Sequence, residues 1–196
     1  MRRTSAFLPI IIAIFAVIAF FSFQEVYSQQ SAMKAATPEM IQRGQFLVMA
    51  GGCNDCHTPK VMSPMGIALD STRLLSGHPS GEKIPDLPAQ IIGPDKWGAV
   101  TSNSFTAWYG PWGASFAANL TPDKVTGIGA WTEDVFVKAL RSGKHMGAGR
   151  PILPPMPWQN FAILSDSDIK SIFAYLQTLK PVSNEVPLPI PPAGGK

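Results

Sequence analysis

The stretch Cys53-Asn54-Asp55-Cys56-His57 decides the fold of this chain, because it names the group around which the rest must pack. It holds both cysteines of the 196-residue chain, and a histidine directly follows the second one. Two thiols separated by two residues lie on one helical turn and can form thioether bonds to haem, while the histidine binds the iron. The motif therefore predicts one covalently attached haem c, held by Cys53 and Cys56, with His57 as the proximal iron ligand.

Two other interpretations of the cysteine pair fit less well. A thioredoxin-like dithiol is expected near a βαβ pattern, which this sequence lacks. A structural zinc site needs four ligands, and the motif supplies three. His78 or His145 would have to supply the fourth at irregular spacing. The appended histidine and the absence of further cysteines favour haem.

The N-terminal residues have the layout of an export signal. An apolar run over residues 7–23 follows Arg2 and Arg3, and small residues precede a cleavage point after Ser28. Residues 1–28 are therefore predicted to be a signal peptide, with an uncleaved membrane anchor as the alternative, since 17 residues lie at the short end for a span. Residues 29–37 are predicted to be a linker.

Export and haem attachment agree, because bacteria attach haem c outside the cytoplasmic membrane. The expected location is the periplasm or the outer face of that membrane, with membrane contact only through residues 7–23 if they stay uncleaved. The formal net charge of +3 is too small to favour a nucleic-acid partner. The expected partners are redox proteins, such as a membrane-bound dehydrogenase or a terminal oxidase.

Three helices are predicted in a domain that spans residues 38–181. The first begins after Thr37 and carries Gly44 in its middle, which costs about 1 kcal/mol relative to alanine and predicts a close helix crossing. The second begins after Thr132 and ends at Gly143. The third begins at the capping box of Ser165 and ends before Pro181.

The remaining segments lack helical periodicity. Residues 58–118 are rich in proline, glycine and tryptophan, and are predicted to be an ordered, irregular, aromatic-rich insertion of turns or short strands over the cofactor. The fold class predicted for the whole chain is all-α. Residues 182–196 are predicted to be an extended, mobile, proline-rich tail.

The second axial ligand decides whether the iron carries electrons or binds small molecules. It must approach from the opposite face of the ring, and five residues from His57 to Met62 span at most about 17 Å. Met156 lies between Pro155 and Pro157, which stiffen the chain around a thioether. Met156 is therefore the predicted distal ligand, and gap-filling core packing is the alternative. The other candidates are Met62, Met65, His78, His145 and Met146.

The order helix, haem motif, helix, methionine loop and terminal helix resembles class I cytochromes c. A narrower resemblance, to the cytochrome c subunits of membrane-bound alcohol and gluconate dehydrogenases, is carried by Asn119-Leu120-Thr121-Pro122-Asp123, residues 126–131, Arg150-Pro151 and Pro154-Pro155-Met156-Pro157. This narrower resemblance implies that Met156 is the distal ligand. The resemblance to class I cytochromes c implies that the first helix at Gly44 crosses the last helix at Ala174-Tyr175-Leu176.

The chain also departs from those subunits. They carry three haem motifs, whereas this chain has one, and residues 58–118 lengthen the spacing between His57 and Met156. The preferred function is therefore a monohaem cytochrome that transfers single electrons and is not itself an enzyme. The alternatives are a haem subunit of a dehydrogenase complex, in which the haem can be mostly structural, and a haem enzyme or small-ligand sensor with a displaceable distal ligand.

Overall fold

The computed structural model describes residues 36–86 and 89–192. The predicted signal peptide or anchor and most of the predicted linker lie outside the described residues. The described part contains five α-helices, α1 (Pro38–Ala50), α2 (Cys53–His57), α3 (Glu133–Ser142), α4 (Trp158–Ala162) and α5 (Asp166–Leu176). None of the helices in these two ranges has the length and apolar character needed to cross a membrane.

The described residues also form two antiparallel sheets, so the all-α prediction is wrong and the fold is mixed. One sheet is a two-stranded hairpin, and the other has three strands that lie side by side in chain order. All five strands lie in the segment 58–118, and their bounds are β1 (Lys60–Ser63), β2 (Gly66–Leu69), β3 (Val100–Thr101), β4 (Ala107–Gly110) and β5 (Gly113–Phe116). Strands of two to four residues are too short for a period of two to stand out in the sequence.

Turn chemistry explains why this segment forms hairpins. The β1–β2 and β4–β5 hairpins each have a two-residue loop that begins with proline, Pro64-Met65 in the first and Pro111-Trp112 in the second. A glycine with positive φ follows each loop, Gly66 at 107° and Gly113 at 89°. Proline fixes the entry to such a turn, and glycine accepts the left-handed backbone that closes it.

The three predicted helix starts are confirmed. The hydroxyl oxygens of Thr37, Thr132 and Ser165 accept hydrogen bonds from backbone N–H groups in the first turns of α1, α3 and α5, at 3.1–3.3 Å. Each bond satisfies one of the donors that a helix start leaves unpaired. The α3 helix ends at Gly143, whose φ of 63° is the left-handed helix stop predicted there.

Helices α1 and α5 cross in close contact, as Gly44 predicted. A Cβ atom built on Gly44 would lie 1.9 Å from the Ser171 carbonyl oxygen and 2.8 Å from the Cβ of Tyr175. Only glycine lets the two backbones approach this closely. The crossing belongs to a hydrophobic core of nine buried residues, Val48, Leu75, Ile128, Phe136, Leu140, Phe161, Ile169, Ile172 and Leu176.

The C-terminal tail is extended, as predicted, but it is fixed to the domain through residue 190. Asn184 donates its side-chain amide to the carbonyl oxygens of Ser76 and His78, at 2.7 and 2.9 Å. Ile190 exchanges two backbone hydrogen bonds with Ala114 in β5, at 2.8 and 2.9 Å. The tail therefore packs against the segment 58–118 through residue 190, and its mobility stays a prediction.

Candidate haem-binding site

The haem motif forms its own short helix, α2, at the end of α1. Gly52 precedes it with a φ of 66°, a left-handed turn that redirects the chain from one helix into the next. Lys60 closes the other end, where its Nζ donates to the carbonyl oxygens of Asn54, Asp55 and Thr58 at 2.5–2.8 Å. A cation at a helix C-terminus binds the unpaired carbonyl groups and stabilises the helix dipole.

The two cysteines lie on one turn of α2 and both are half-buried. Burial, helped by the nearby charges of Asp55 and Cys56 and opposed by a backbone hydrogen bond, raises the pKa of the Cys53 thiol to about 11. Burial also raises the pKa of Cys56. Both thiols are therefore protonated at neutral pH, and the side chain of Cys53 packs against the hydrophobic core.

His57 ends α2 and is buried, with 8% of its surface exposed. Its Nδ1 lies 2.8 Å from the carbonyl oxygen of Ala118, which can only accept, so Nδ1 carries the proton. Burial lowers the pKa of His57, and the Ala118 hydrogen bond opposes that effect. The imidazole is therefore neutral, and Nε2 is the nitrogen whose lone pair can bind a metal.

Met156 lies in the loop between α3 and α4, where the sequence predicted a ligand loop. Its side chain is half-buried and packs against the same hydrophobic core as Cys53. The loop lines a cavity of about 360 Å³, bounded by Ile152, Pro154, Pro155, Met156, Pro157, Trp158 and Gln159. The fold thus brings the loop and the haem motif to one core, and the assignments of Cys53, Cys56, His57 and Met156 remain predictions.

The other candidate ligands lie in different surroundings. Met62 and Met65 lie in the β1–β2 hairpin with 79% and 99% of their surfaces exposed. Met146 is 51% exposed in a short turn after α3, and the neighbouring His145 is exposed and packs edge-on against Trp131. His78 is fully buried, with Nδ1 2.9 Å from the hydroxyl of Thr106.

The sequence did not predict the groups outside the motif that hydrogen-bond to its helix and to His57, which are Lys60 and the Ala118 carbonyl. Lys60 has a sequence signal, because a lysine three residues after a short helix can reach its last carbonyl groups. Ala118 has none, since a backbone carbonyl 61 residues from His57 acts through the fold and not through its side chain. Within the described ranges, no three His, Cys, Asp or Glu side chains are grouped so that they could hold a metal ion.

No protein-family model matches this chain. It is similar to the cytochrome c subunit of gluconate 2-dehydrogenase from Pantoea cypripedii, with 28% identity over 161 residues, which cover 79% of this chain and 28% of that protein. It is 32% identical over 155 residues to the fructose dehydrogenase cytochrome subunit of Gluconobacter japonicus, which covers 77% of this chain and 24% of the relative.

A third relative is the cytochrome c subunit of the quinone-dependent alcohol dehydrogenase of Gluconobacter oxydans (strain 621H), at 40% identity over 149 residues, 76% of this chain and 23% of the relative. The chain thus spans about a quarter of the length of these relatives. All three are named as cytochrome subunits of dehydrogenases, which agrees with the prediction of an electron-transfer protein and not an enzyme. The sequence is therefore similar to one portion of dehydrogenase cytochrome subunits.

Proposed function

We propose that this protein is a monohaem c-type cytochrome of the class I kind, which transfers single electrons between periplasmic or membrane-associated redox partners. The observation that carries the proposal is the state of His57, a buried neutral imidazole at the end of the C-x-x-C-H helix. Its Nδ1 is held by the Ala118 carbonyl, so only Nε2 is left to bind iron.

The residues present fit a haem in two further respects. Cys53 and Cys56 lie on one helical turn with thiols close to the core, which suits attachment to one edge of the ring. The indole nitrogen of Trp108 is a buried donor without a hydrogen-bond partner in the part of the chain that the structure describes. A buried unpaired donor is costly, and a haem carboxylate is an acceptor of the kind it lacks.

When bound, haem supplies one-electron chemistry between the ferrous and ferric states. The protein's task is then to hold the ligands in both states with little rearrangement. His57 would hold the iron through Nε2, and Ala118 keeps its imidazole in the required tautomer. We assign Met156 as the second iron ligand, because a thioether ligand would favour the reduced state and raise the reduction potential.

A dehydrogenase is the electron donor that the comparisons favour. The relatives are named as cytochrome subunits of gluconate, fructose and alcohol dehydrogenases. We infer that this chain corresponds to a single cytochrome module and accepts electrons from a dehydrogenase of this general kind. The proposed location is the periplasm or the outer face of the cytoplasmic membrane, because haem c is attached there.

The test is the absorption spectrum of the ferric protein. Methionine ligation gives a weak long-wavelength band that arises from sulfur-to-iron charge transfer. We expect this band in the wild type and its loss in Met156→Ala. Met65→Ala is the matched control, because that side chain is 99% exposed on the β1–β2 hairpin, and it should keep the band.

Three results would contradict the proposal at different levels. A wild-type ferric protein that lacks the band and is high-spin would favour the ligand-binding alternative over the electron carrier. A Met156→Ala variant that keeps the band would leave the electron carrier intact and identify Met156 as the wrong residue. Haem that is lost from the chain on denaturation would contradict covalent attachment through Cys53 and Cys56.

A further inference from the structure

The strand β5 and the residues after it contact both segments that carry the proposed iron ligands. The Ser115 hydroxyl donates to the carbonyl oxygen of Pro154, at 2.5 Å, two residues before Met156. Three residues after Ser115, the carbonyl oxygen of Ala118 accepts the hydrogen bond from His57. An extended segment of this length spans about 10 Å, so one short piece of chain holds both ligand segments.

This piece of chain is itself firmly held. Ala117 donates its N–H to the Thr106 carbonyl at 2.8 Å and accepts from the His78 N–H at 2.9 Å. Beside His78, Gly77 packs so closely that an added Cβ would lie 2.5 Å from the same Ala117 carbonyl oxygen. Ser115 is paired with Trp108 in the β4–β5 ladder. Anything bonded to this segment is therefore held against a rigid support.

The Ser115 hydroxyl is suited to a directed contact. Ser115 is buried, with 8% of its surface exposed. The indole N–H of Trp112 donates to its Oγ at 3.2 Å, and the Pro154 carbonyl accepts its proton. A hydroxyl has one proton to donate, and here a donor on one side and an acceptor on the other fix its orientation.

The methionine loop, residues 153–157, makes few other hydrogen bonds. Within residues 153–157 the Met156 N–H bonds to the Leu153 carbonyl, inside the loop. The Met156 and Pro157 carbonyls accept from Trp158 and Asn160 in the adjoining helix α4. Among the described residues, the Ser115–Pro154 bond is the one hydrogen bond that joins this loop to a distant part of the chain.

We propose that Ser115 is a positioning residue that holds the Met156 loop at a fixed place relative to His57. The inference rests on the proposed function, because it takes Met156 as the distal ligand. A thioether is a weak iron ligand, so its retention depends on how firmly the protein presents it. Without the Ser115 hydroxyl the loop remains folded, but the sulfur competes less well with other ligands for the iron.

The test measures binding of added imidazole to the ferric holoprotein, followed by loss of the sulfur-to-iron band. We expect Ser115→Ala to bind imidazole about fivefold more tightly than the wild type, which corresponds to the loss of one ordinary hydrogen bond. Ser115→Thr keeps the hydroxyl and should restore affinity close to that of the wild type. Ser102→Ala is the matched control, since it removes a buried hydroxyl from the same region that contacts neither Pro154 nor His57.

The outcomes separate this inference from the proposed function. Equal imidazole affinity in the wild type and Ser115→Ala, with the band present in both, overturns the positioning role alone. An equal increase in Ser102→Ala also overturns it, because the effect is then one of general stability. A wild type without the band overturns both. If Ser115→Ala does not fold, Trp112→Phe tests the same contact, and it should raise the affinity by a smaller factor; no change would contradict the role.

Discussion

The helical frame and the β segment of this domain are held by different interactions and have different roles. The frame, defined as α1, α3 and α5, is joined by apolar side chains and by the close approach at Gly44. The β segment, defined as residues 58–118, contributes Leu75 to that core, buries Ala107, Tyr109 and Ala114, and contacts the ligand segments through hydrogen bonds. The apolar contacts of the frame stabilise the fold without requiring a particular geometry. The hydrogen bonds of the β segment are directional, so they fix the positions of the segments that carry His57 and Met156.

This difference predicts how each region responds to substitution. Changes in the frame should lower the free energy of unfolding and leave the spectrum of the folded fraction unchanged. Changes in the β segment should cost less stability and alter the iron environment, as described for Ser115. The three tests below compare the regions in order of decreasing effect.

Gly44→Leu should give the largest loss of stability. Leucine is a better helix former than glycine by about 1 kcal/mol, so helix propensity alone predicts stabilisation. The added side chain would instead overlap the Ser171 carbonyl, and we expect a loss of about 3 kcal/mol or more. Denaturant unfolding of the holoprotein measures it.

The control for this substitution is Gly81→Ala, because among the described residues no atom beyond its chain neighbours lies within 4 Å of the Cβ position there. We expect its unfolding midpoint to stay within error of the wild type. A Gly44→Leu variant as stable as the wild type would show that α1 and α5 do not cross where we describe, and the comparison between the two regions would fail.

Asn184→Ala should have an intermediate effect, because it separates the tail from the β segment. Its side chain pairs with the Ser76 and His78 carbonyls and accepts from the Ser80 N–H at 2.9 Å. Leaving these groups unpaired should cost about 2 kcal/mol. Limited proteolysis should cut the tail faster in this variant than in Ser183→Ala, its exposed neighbour. Equal cutting rates would mean that the tail is held by other contacts.

Protonation of His78 should have the smallest effect on the free energy of unfolding, and this effect should appear only at acidic pH. Burial lowers its pKa, and the charge of Glu82 opposes that effect. The unfolded chain therefore binds the proton more tightly than the folded chain, so stability is lost as pH falls below the ordinary histidine pKa of about 6.5. We expect a loss of up to about 1 kcal/mol between about pH 7 and pH 5.5.

The measurement is the free energy of unfolding at both pH values for the wild type and His78→Gln. Glutamine cannot be protonated, so the pH dependence should be smaller in the variant. His145 also has a pKa lowered by burial, and it contributes with the same sign in both proteins. An identical pH dependence in the two proteins would show that His78 is not held neutral.

The helical frame could be predicted from sequence because its signals are local. The residues that cap helices with apolar positions at helical spacing are Thr37, Thr132 and Ser165. Gly44 lowers the stability of its helix, which indicates that a close helix crossing requires it. The β segment could not be predicted in this way. Its pairing depends on contacts between short strands, and the alternation of two to four residues is indistinguishable from chance.

The features of the site also differ in how far they could be predicted from the sequence. The C-x-x-C-H motif and the prolines around Met156 are contiguous in sequence, so their chemistry is readable without a structure. The partners that orient them are distant: Ala118 lies 61 residues from His57, and Ser115 lies 39 residues from Pro154. A backbone carbonyl gives no residue-type signal, and a single serine is too common to be noticed.

The contact between Ile190 and Ala114 also covers a strand edge that could otherwise pair with another copy of the chain. The strand β5 is at the edge of its sheet, and an open edge is a template for pairing with another chain. Ile190 occupies that edge with two hydrogen bonds, and Pro189 and Pro191 on either side have no N–H to extend the ladder. Shortening the tail before residue 190 would therefore open an aggregation-prone edge beside the residues that hold the methionine loop.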